Sequence, residues 1–507
     1  MPTTLVYFFL CLGALAYFRY QRRGASIKLP PGPKGWPLLG VTQQLLDPSV
    51  KPWTRFAQWS QEYDPARSGM ITVPTLFRTN LIVDSPQLAH ELLDRRGHKY
   101  AARPRDIYSG EMCFRDLNLT ACQGGERVLA LRKLYFEQFS SSAVRLCQPT
   151  QLLVSKRMVT ELLHSGGQSN TLAMLAKHLK VMTMTMFCGD ISPTTWERVW
   201  RHEKLMTTRV RPAIAPLLDI FPWLLKVPAS WLPGSDIASA SQQYYEDNED
   251  FWRALSTDVT SQMKHPGYTS SIWSRLIESK AFARHGFSSS ESAHVIGTQL
   301  GSNLGSELVL QTFLIAMLHF PEALHKVQQE IDAVVGGERA PDFEDALNLP
   351  YFRATLLEVM RWRSISPIVQ PHVLTENDTV GDWHLPAGAT VWVNTVPMSR
   401  DPVAYPDPDQ FKPERFLDQS GGTVTRRAEL PTFGYGRRRC PAGLLAESTL
   451  FITAAYLAWA FDFQVPAGAA LPNIDIDTWV QRFAFIMPQP FEIRFVARNS
   501  VRPESGL

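Results

Sequence analysis

One cysteine preceded by three arginines stands in the stretch PTFGYGRRRCPAG, Pro431 to Gly443. Cys440 follows two glycines and precedes LLAESTLFITAAYLAWAFDF, an almost wholly apolar run that reads as a buried helix. Pro441 falls close to the expected first helical position. Backbone N–H groups at a helix start, together with neighbouring arginines, favour a thiolate over a thiol. A thiolate is a metal ligand. The competing reading is a buried free cysteine, which would have no use for three adjacent arginines.

Upstream, LPYFRATLLEVMRWR reads as a helix that sets Glu358 and Arg361 at i and i+3 on one face. Such pairs are common on exposed helices, where they contribute about 0.2–0.5 kcal/mol, so this one gains meaning only beside the cysteine loop. Before it, Ser288 and Glu291 have the form of a capping box that opens a long helical pattern running to Pro321. That pattern contains GTQLGSNLGSE, with Gly297, Gly301 and Gly305 on one stripe. Three interior glycines should weaken a helix by roughly 3 kcal/mol. The stripe therefore marks a face that needs space, either for a bound group or for a closely packed helix. Trp383 to Asn394 reads as a short hairpin around a Pro-Ala-Gly turn.

The chain of 507 residues has 45% hydrophobic content and a formal charge of +3, with its basic residues dispersed. It has ample material for a core and no nucleic-acid footprint. Six cysteines lie far apart without a C-x-x-C pair, as expected for reduced thiols rather than a disulfide or zinc framework. Leu5 to Phe18 is apolar and runs into Arg19, Arg22 and Arg23. About 17 helical residues span roughly 25 Å, slightly less than an endoplasmic-reticulum bilayer of about 27 Å. The charge follows the apolar run and no A-x-A site is evident, so a retained single-pass anchor fits better than a cleaved signal peptide, with the remainder cytosolic. The organisation expected is an anchor over 1–20, a basic, proline-rich hinge over 21–40 (KLPPGPKGWPLLG at its end) and a catalytic domain over 41–507.

Taken together, these motifs resemble those of the cytochromes P450. The family loop F-x-x-G-x-R-x-C-x-G is matched by Phe433, Gly436, Arg438 and Cys440, with Ala442 at the last glycine position. Glu358 and Arg361, joined by Arg415 of PERF, match its buried ion network. The resemblance implies a mainly α fold with a smaller β region, and haem b between a distal helix and the cysteine loop. It makes Cys440 the axial ligand and Arg438, His372 and Arg132 the partners of the haem propionates. Val128 stands where the family has tryptophan.

The sequence departs from the family at the distal helix. Gly301 to Ser306 aligns with A-G-x-D/E-T-T, where acid and threonine manage protons, yet Leu304 and Gly305 occupy those two positions. Ser302, Asn303 and Ser306 are the remaining polar candidates for a relay, helped by water or a substrate hydroxyl. Ser306 points about 100° away from Gly305. By family position, Gly301, Leu304, Gly305, Ile368, Val369, Gln370, Phe483 and Phe485 line the substrate pocket. The segment Val210 to Gly234, rich in proline, tryptophan and leucine, resembles the membrane-dipping cover of fungal secondary-metabolite enzymes and implies a lipophilic substrate. No dinucleotide fingerprint is present, so the resemblance implies electrons from an NADPH-cytochrome P450 reductase on the same membrane. Arg437, Arg439, Arg426 and Arg427 are candidates for its docking face. The expected activity is oxygen insertion. A haem-thiolate oxidase acting by phenolic coupling, ring closure or peroxide chemistry is the alternative, and a haem-binding protein without turnover the third.

Overall fold

The computed structural model describes residues 28–37, 39–76, 78–166, 171–208, 215–227, 237–300, 304–425, 430–482 and 484–498. The apolar N-terminal segment lies outside them, as do Gly301, Ser302, Asn303, Arg426, Arg427, Phe483 and parts of Val210 to Gly234. Helices dominate and a smaller part is strand. Contacts divide the chain into two compact units. The first takes in the chain up to Pro104 with Pro367–Met398 and Gly434–Arg439; the second is Arg105–Ser366, Ser399–Phe433 and Cys440–Leu507.

The first unit is built on a four-stranded sheet. Met70–Thr75 pairs antiparallel with Arg78–Val83, which pairs in parallel with Thr390–Val393, and His372–Val373 closes the far edge. Side chains alternate faces along a strand, and both faces are covered here. Met70, Val391 and Val393 pack with Leu92, Tyr100 and Tyr435, whereas Ile71, Val73 and Trp392 pack with Phe56 and Trp59. This corrects the expected hairpin over Trp383 to Asn394. Gly388 does make the turn, at φ +84, but Trp383–Leu385 pairs back with Asp378–Val380. Thr390–Val393 instead enters the sheet, because a β-branched strand with apolar residues on both faces gains most when both are buried. From Lys28 the proline-rich stretch is laid along this unit: Thr72 N–H donates to Pro31 O (2.8 Å) and His384 N–H to Lys28 O (2.8 Å).

The second unit is helical. The capping box forms, with Ser288 N–H donating to Glu291 Oε2 (2.9 Å) and Glu291 N–H to Ser288 Oγ (3.2 Å). It opens Ser289–Leu300, and helix resumes over Leu304–His319. At Pro321 the chain bends by 107° into Pro321–Val334, because proline lacks the N–H that would continue the helix. Gly443–Ala460 is buried almost throughout and serves as the core helix of this unit. Its apolar run outlasts it: Phe461 turns extended and Phe461–Gln464 pairs with Arg494–Ala497. The helix starts at Gly443, so Pro441 lies two residues ahead of its first turn rather than in it.

The glycine stripe divides in two. A Cβ on Gly297 would sit 2.0 Å from the Trp252 ring, which is itself buried, so this glycine exists for helix packing. A Cβ on Gly305 would meet Phe485 Cζ at 3.7 Å and Ile365 Cδ1 at 3.9 Å, which is ordinary contact. Gly297→Ala should therefore lower the thermal midpoint by the equivalent of about 1–3 kcal/mol through overpacking, despite alanine's better helix propensity. Gly305→Ala should be neutral or stabilising by up to about 1 kcal/mol. Thermal unfolding of the two variants side by side checks both.

Candidate functional site

The cysteine loop is shaped by two glycines in the left-handed region, Gly434 (φ +72) and Gly436 (φ +58). In the second unit its ends close on each other: Cys440 N–H donates to Phe433 O (2.8 Å), and Gly443 lies against the Phe433 ring. Cys440 is exposed just ahead of the buried core helix. Among the described residues no group of three or more His, Cys, Asp or Glu side chains could hold a metal ion.

Three basic side chains converge in the first unit. Arg438, 8% exposed, donates from Nε to Ala101 O (2.7 Å). Arg103 donates from Nη1 to Gln370 O (2.6 Å) and Pro371 O (2.7 Å). His372, 2% exposed, bonds through Nδ1 to Tyr100 O (2.7 Å). A carbonyl only accepts, so Nδ1 carries the proton. Nε2 is buried without a hydrogen-bond partner. Burial, then the positive field of Arg103, push the imidazole down to about 3, against the opposing Tyr100 contact, with Arg438 depressing it further. Buried guanidiniums form a site for an anion such as a carboxylate, which His372 can join as a donor only with a second proton on Nε2. This is the arrangement that haem propionates require, so the residues fit the group.

Arg132, in the second unit, is half-buried with its guanidinium 5.0 Å from the Phe136 ring centre. Val128 fills its position as a buried core side chain.

Glu358 and Arg361 are fully withdrawn from water. Arg361 grips the carboxylate with two bonds, Nε to Oε2 (2.7 Å) and Nη2 to Oε1 (2.8 Å), and gives Nη1 to Ser399 O (2.8 Å). Arg415 Nε (3.2 Å) and the Lys412 backbone N–H (2.8 Å) complete Oε1. Sequence reading found the three charged residues. It missed Ser399 and Lys412, which act through backbone atoms and leave no side-chain signature.

Around Gly305 the second unit brings together Phe485, expected, and Ile365, not expected. The bond from Ile486 N–H to Ile365 O (2.9 Å) joins their segments. Leu304 and Ser306 are both half-buried. Of the residues expected to line the pocket, Ile368 in the first unit packs against the core containing Phe56 and Trp59, and Val369 against that containing Tyr435 and Met398. Ile368 forms an isolated bridge to Asn394, and Val369 N–H donates to Val393 O (2.9 Å). Gln370 is exposed, and its carbonyl holds Arg103.

An unforeseen acid occupies the first turn of Leu304–His319. Glu307 accepts from Gln311 Nε2 (3.1 Å). It also attracts Lys180, whose ammonium burial lowers to about 8.

A family model described as cytochrome P450 matches residues 30–494. Cytochrome P450 monooxygenase 105 of Postia placenta is 31% identical over 475 residues, 90% of this chain and 87% of its own. Tryptamine 4-monooxygenase of Psilocybe cyanescens is 28% identical over 508 residues, 97% of each chain. A zebra fish cytochrome P450 solved with abiraterone has a similar fold, with a TM-score of 0.69 at 20% identity over 89% of this chain and all of that one.

Two outcomes test this geometry. Glu358→Ala strands Arg361 as a buried, unpaired charge and should destabilise the protein by about 3–5 kcal/mol, read by chemical denaturation. For His372 the folded value lies below the unfolded one of 6.5. Below that pH the unfolded chain binds the extra proton, so the haem-free protein should lose stability as pH falls from about 6.5 toward 3. His372→Gln should flatten that part of the profile.

Proposed function

We propose, from the premise that this chain belongs to the cytochrome P450 family, that it is a membrane-anchored monooxygenase inserting oxygen into a lipophilic natural product, with Cys440 as the axial ligand of its haem. The family's haem, held by a cysteine thiolate, supplies the oxidising chemistry. One observation carries the assignment of Cys440: two left-handed glycines and the Cys440–Phe433 backbone bond present an exposed cysteine immediately before a buried helix.

The residues of the chain divide the remaining work. By family position Arg438 and Arg132 neutralise the propionates, and His372 joins them as a donor only when a proton is taken up on Nε2, its unbonded nitrogen. Phe485, Ile365 and Gly305 supply an apolar wall for a substrate with little polar surface. Proton handling is displaced from the usual acid. Leu304 has no exchangeable proton, but Glu307 stands one turn further on. Helical side chains tilt toward the N-terminus, so its carboxylate lies back toward the Leu304 level. Glu307 Oε1 and Lys180 Nζ are the groups we assign to hold exchangeable protons there, alongside Ser302, Asn303 and Ser306.

Trp223 and Leu225, exposed in Pro222–Lys226, support a membrane-facing cover over a lipophilic site. With the apolar N-terminal run followed by arginines, they support anchoring in the endoplasmic reticulum with the catalytic part in the cytosol. The family's dependence on redox partners supports an NADPH-cytochrome P450 reductase as electron donor. Leu304 and Gly305 also favour a second reading, a haem-thiolate oxidase that couples or closes rings without inserting oxygen.

Labelled dioxygen separates the two: the monooxygenase places the label in product, whereas NADPH-dependent turnover to unlabelled product establishes the oxidase. Cys440→Ser should abolish the thiolate signature of the reduced carbon monoxide complex, and a retained signature would remove Cys440 from the iron. Replacing Leu304 by Asp and Gly305 by Thr together should raise the fraction of NADPH recovered as product; unchanged coupling would show that the departure does not limit proton supply.

A further inference from the structure

Gly434–Arg439, the six residues immediately before Cys440, are fixed at several points within the first unit. Tyr435 meets the His90 ring edge-on at 5.3 Å and donates its hydroxyl to Met398 Sδ (3.8 Å). Arg438 is tied to Ala101 O. These ties act through side chains. Gly436 is held through its backbone: its N–H donates to Asp94 Oδ1 at 2.5 Å.

Asp94 lies in the π-helical turn His90–Arg95. The loop comes down directly on that turn, since a Cβ on Gly436 would stand 1.8 Å from Leu93 O. At φ +58 and this distance only glycine fits. The second carboxylate oxygen of Asp94 contacts His90 Nδ1, one turn back on the same helix. His90 in turn carries the edge of Tyr435. Asp94 therefore closes a ring of contacts, from carboxylate to Gly436, along the chain to Tyr435, across to His90 and back.

We propose that Asp94 is a positioning residue for the cysteine loop, its carboxylate fixing the path of Gly436 and hence the presentation of Cys440. The proposal rests on Cys440 being the thiolate ligand. A charge-assisted hydrogen bond is about twice as strong as a neutral one. It also acts on the backbone only four residues before the ligand, where a shift of the loop is transmitted to the sulfur. Asp94 itself touches no reacting atom.

The test uses the reduced holoprotein with carbon monoxide, following the rate at which the thiolate-ligated complex converts to the thiol-ligated one, together with the haem reduction potential. Asp94→Ala should speed that conversion about tenfold or more, the order expected for one hydrogen bond to a charged group, and should shift the potential. Asp94→Asn keeps an oxygen acceptor but loses the charge and should convert at an intermediate rate, so wild-type rates in it overturn the proposal if the alanine variant fails to load haem. Glu91→Ala loses the pairing to Arg95 and Arg96 on the same turn without touching the loop, and should leave both readouts unchanged. Wild-type rates in Asp94→Ala would overturn the proposal, as would asparagine as labile as alanine, or equal acceleration by Glu91→Ala. A wild-type protein without any thiolate signature would instead overturn the assignment of Cys440.

Discussion

The carboxylate of Glu358 has no contact with water, and an ionised group in that state persists only if every lone pair is answered. Arg361 answers with a fork, Arg415 with its Nε and Lys412 with a backbone N–H. Arg361 and Arg415 then have donors left, which go to the carbonyls of Ser399, Pro406 and Gln410. Trp362, the last residue of the same helix, gives its indole N–H to Asp409 O. An irregular segment with little hydrogen bonding of its own is thus shaped by one buried pair on the helix Pro350–Trp362. Removing the charge would free the whole path from Ser399 to Phe416. That makes the pair more a registration device than a source of net stability.

What could be read from the sequence follows the range of each interaction. Helices were legible because their determinants are local: the capping box at Ser288 and Glu291, the apolar run into Ala460, the proline at 321. The residue types around Cys440 were legible for the same reason. Strand partners were not, since Thr390–Val393 has the same alternation whether it pairs with its neighbour or with Arg78–Val83, more than 300 residues earlier. Ile368 and Val369 show a related limit: their apolar character announces burial without saying against what. Backbone participants such as Ser399 O and Lys412 N–H carry no residue-type signal at all. Asp94 was invisible for another reason, because its meaning depends on the left-handed turn at Gly436, itself set by contact with Leu93.

The basic cluster of the first unit shows how a fold can hold charge ready for a guest. Arg438 and Arg103 are each tethered by backbone carbonyls, which orient the guanidinium. His372 is tethered through Nδ1. Donors held rigidly in this way lose little entropy when an anion arrives.

The glycine stripe holds two positions under different steric constraint. At Gly297 any added atom collides with Trp252, so folding itself polices the position. At Gly305 a methyl group meets only ordinary contacts with Phe485 and Ile365. A first added carbon there meets no steric barrier, so the scaffold leaves open at Gly305 what it forbids at Gly297.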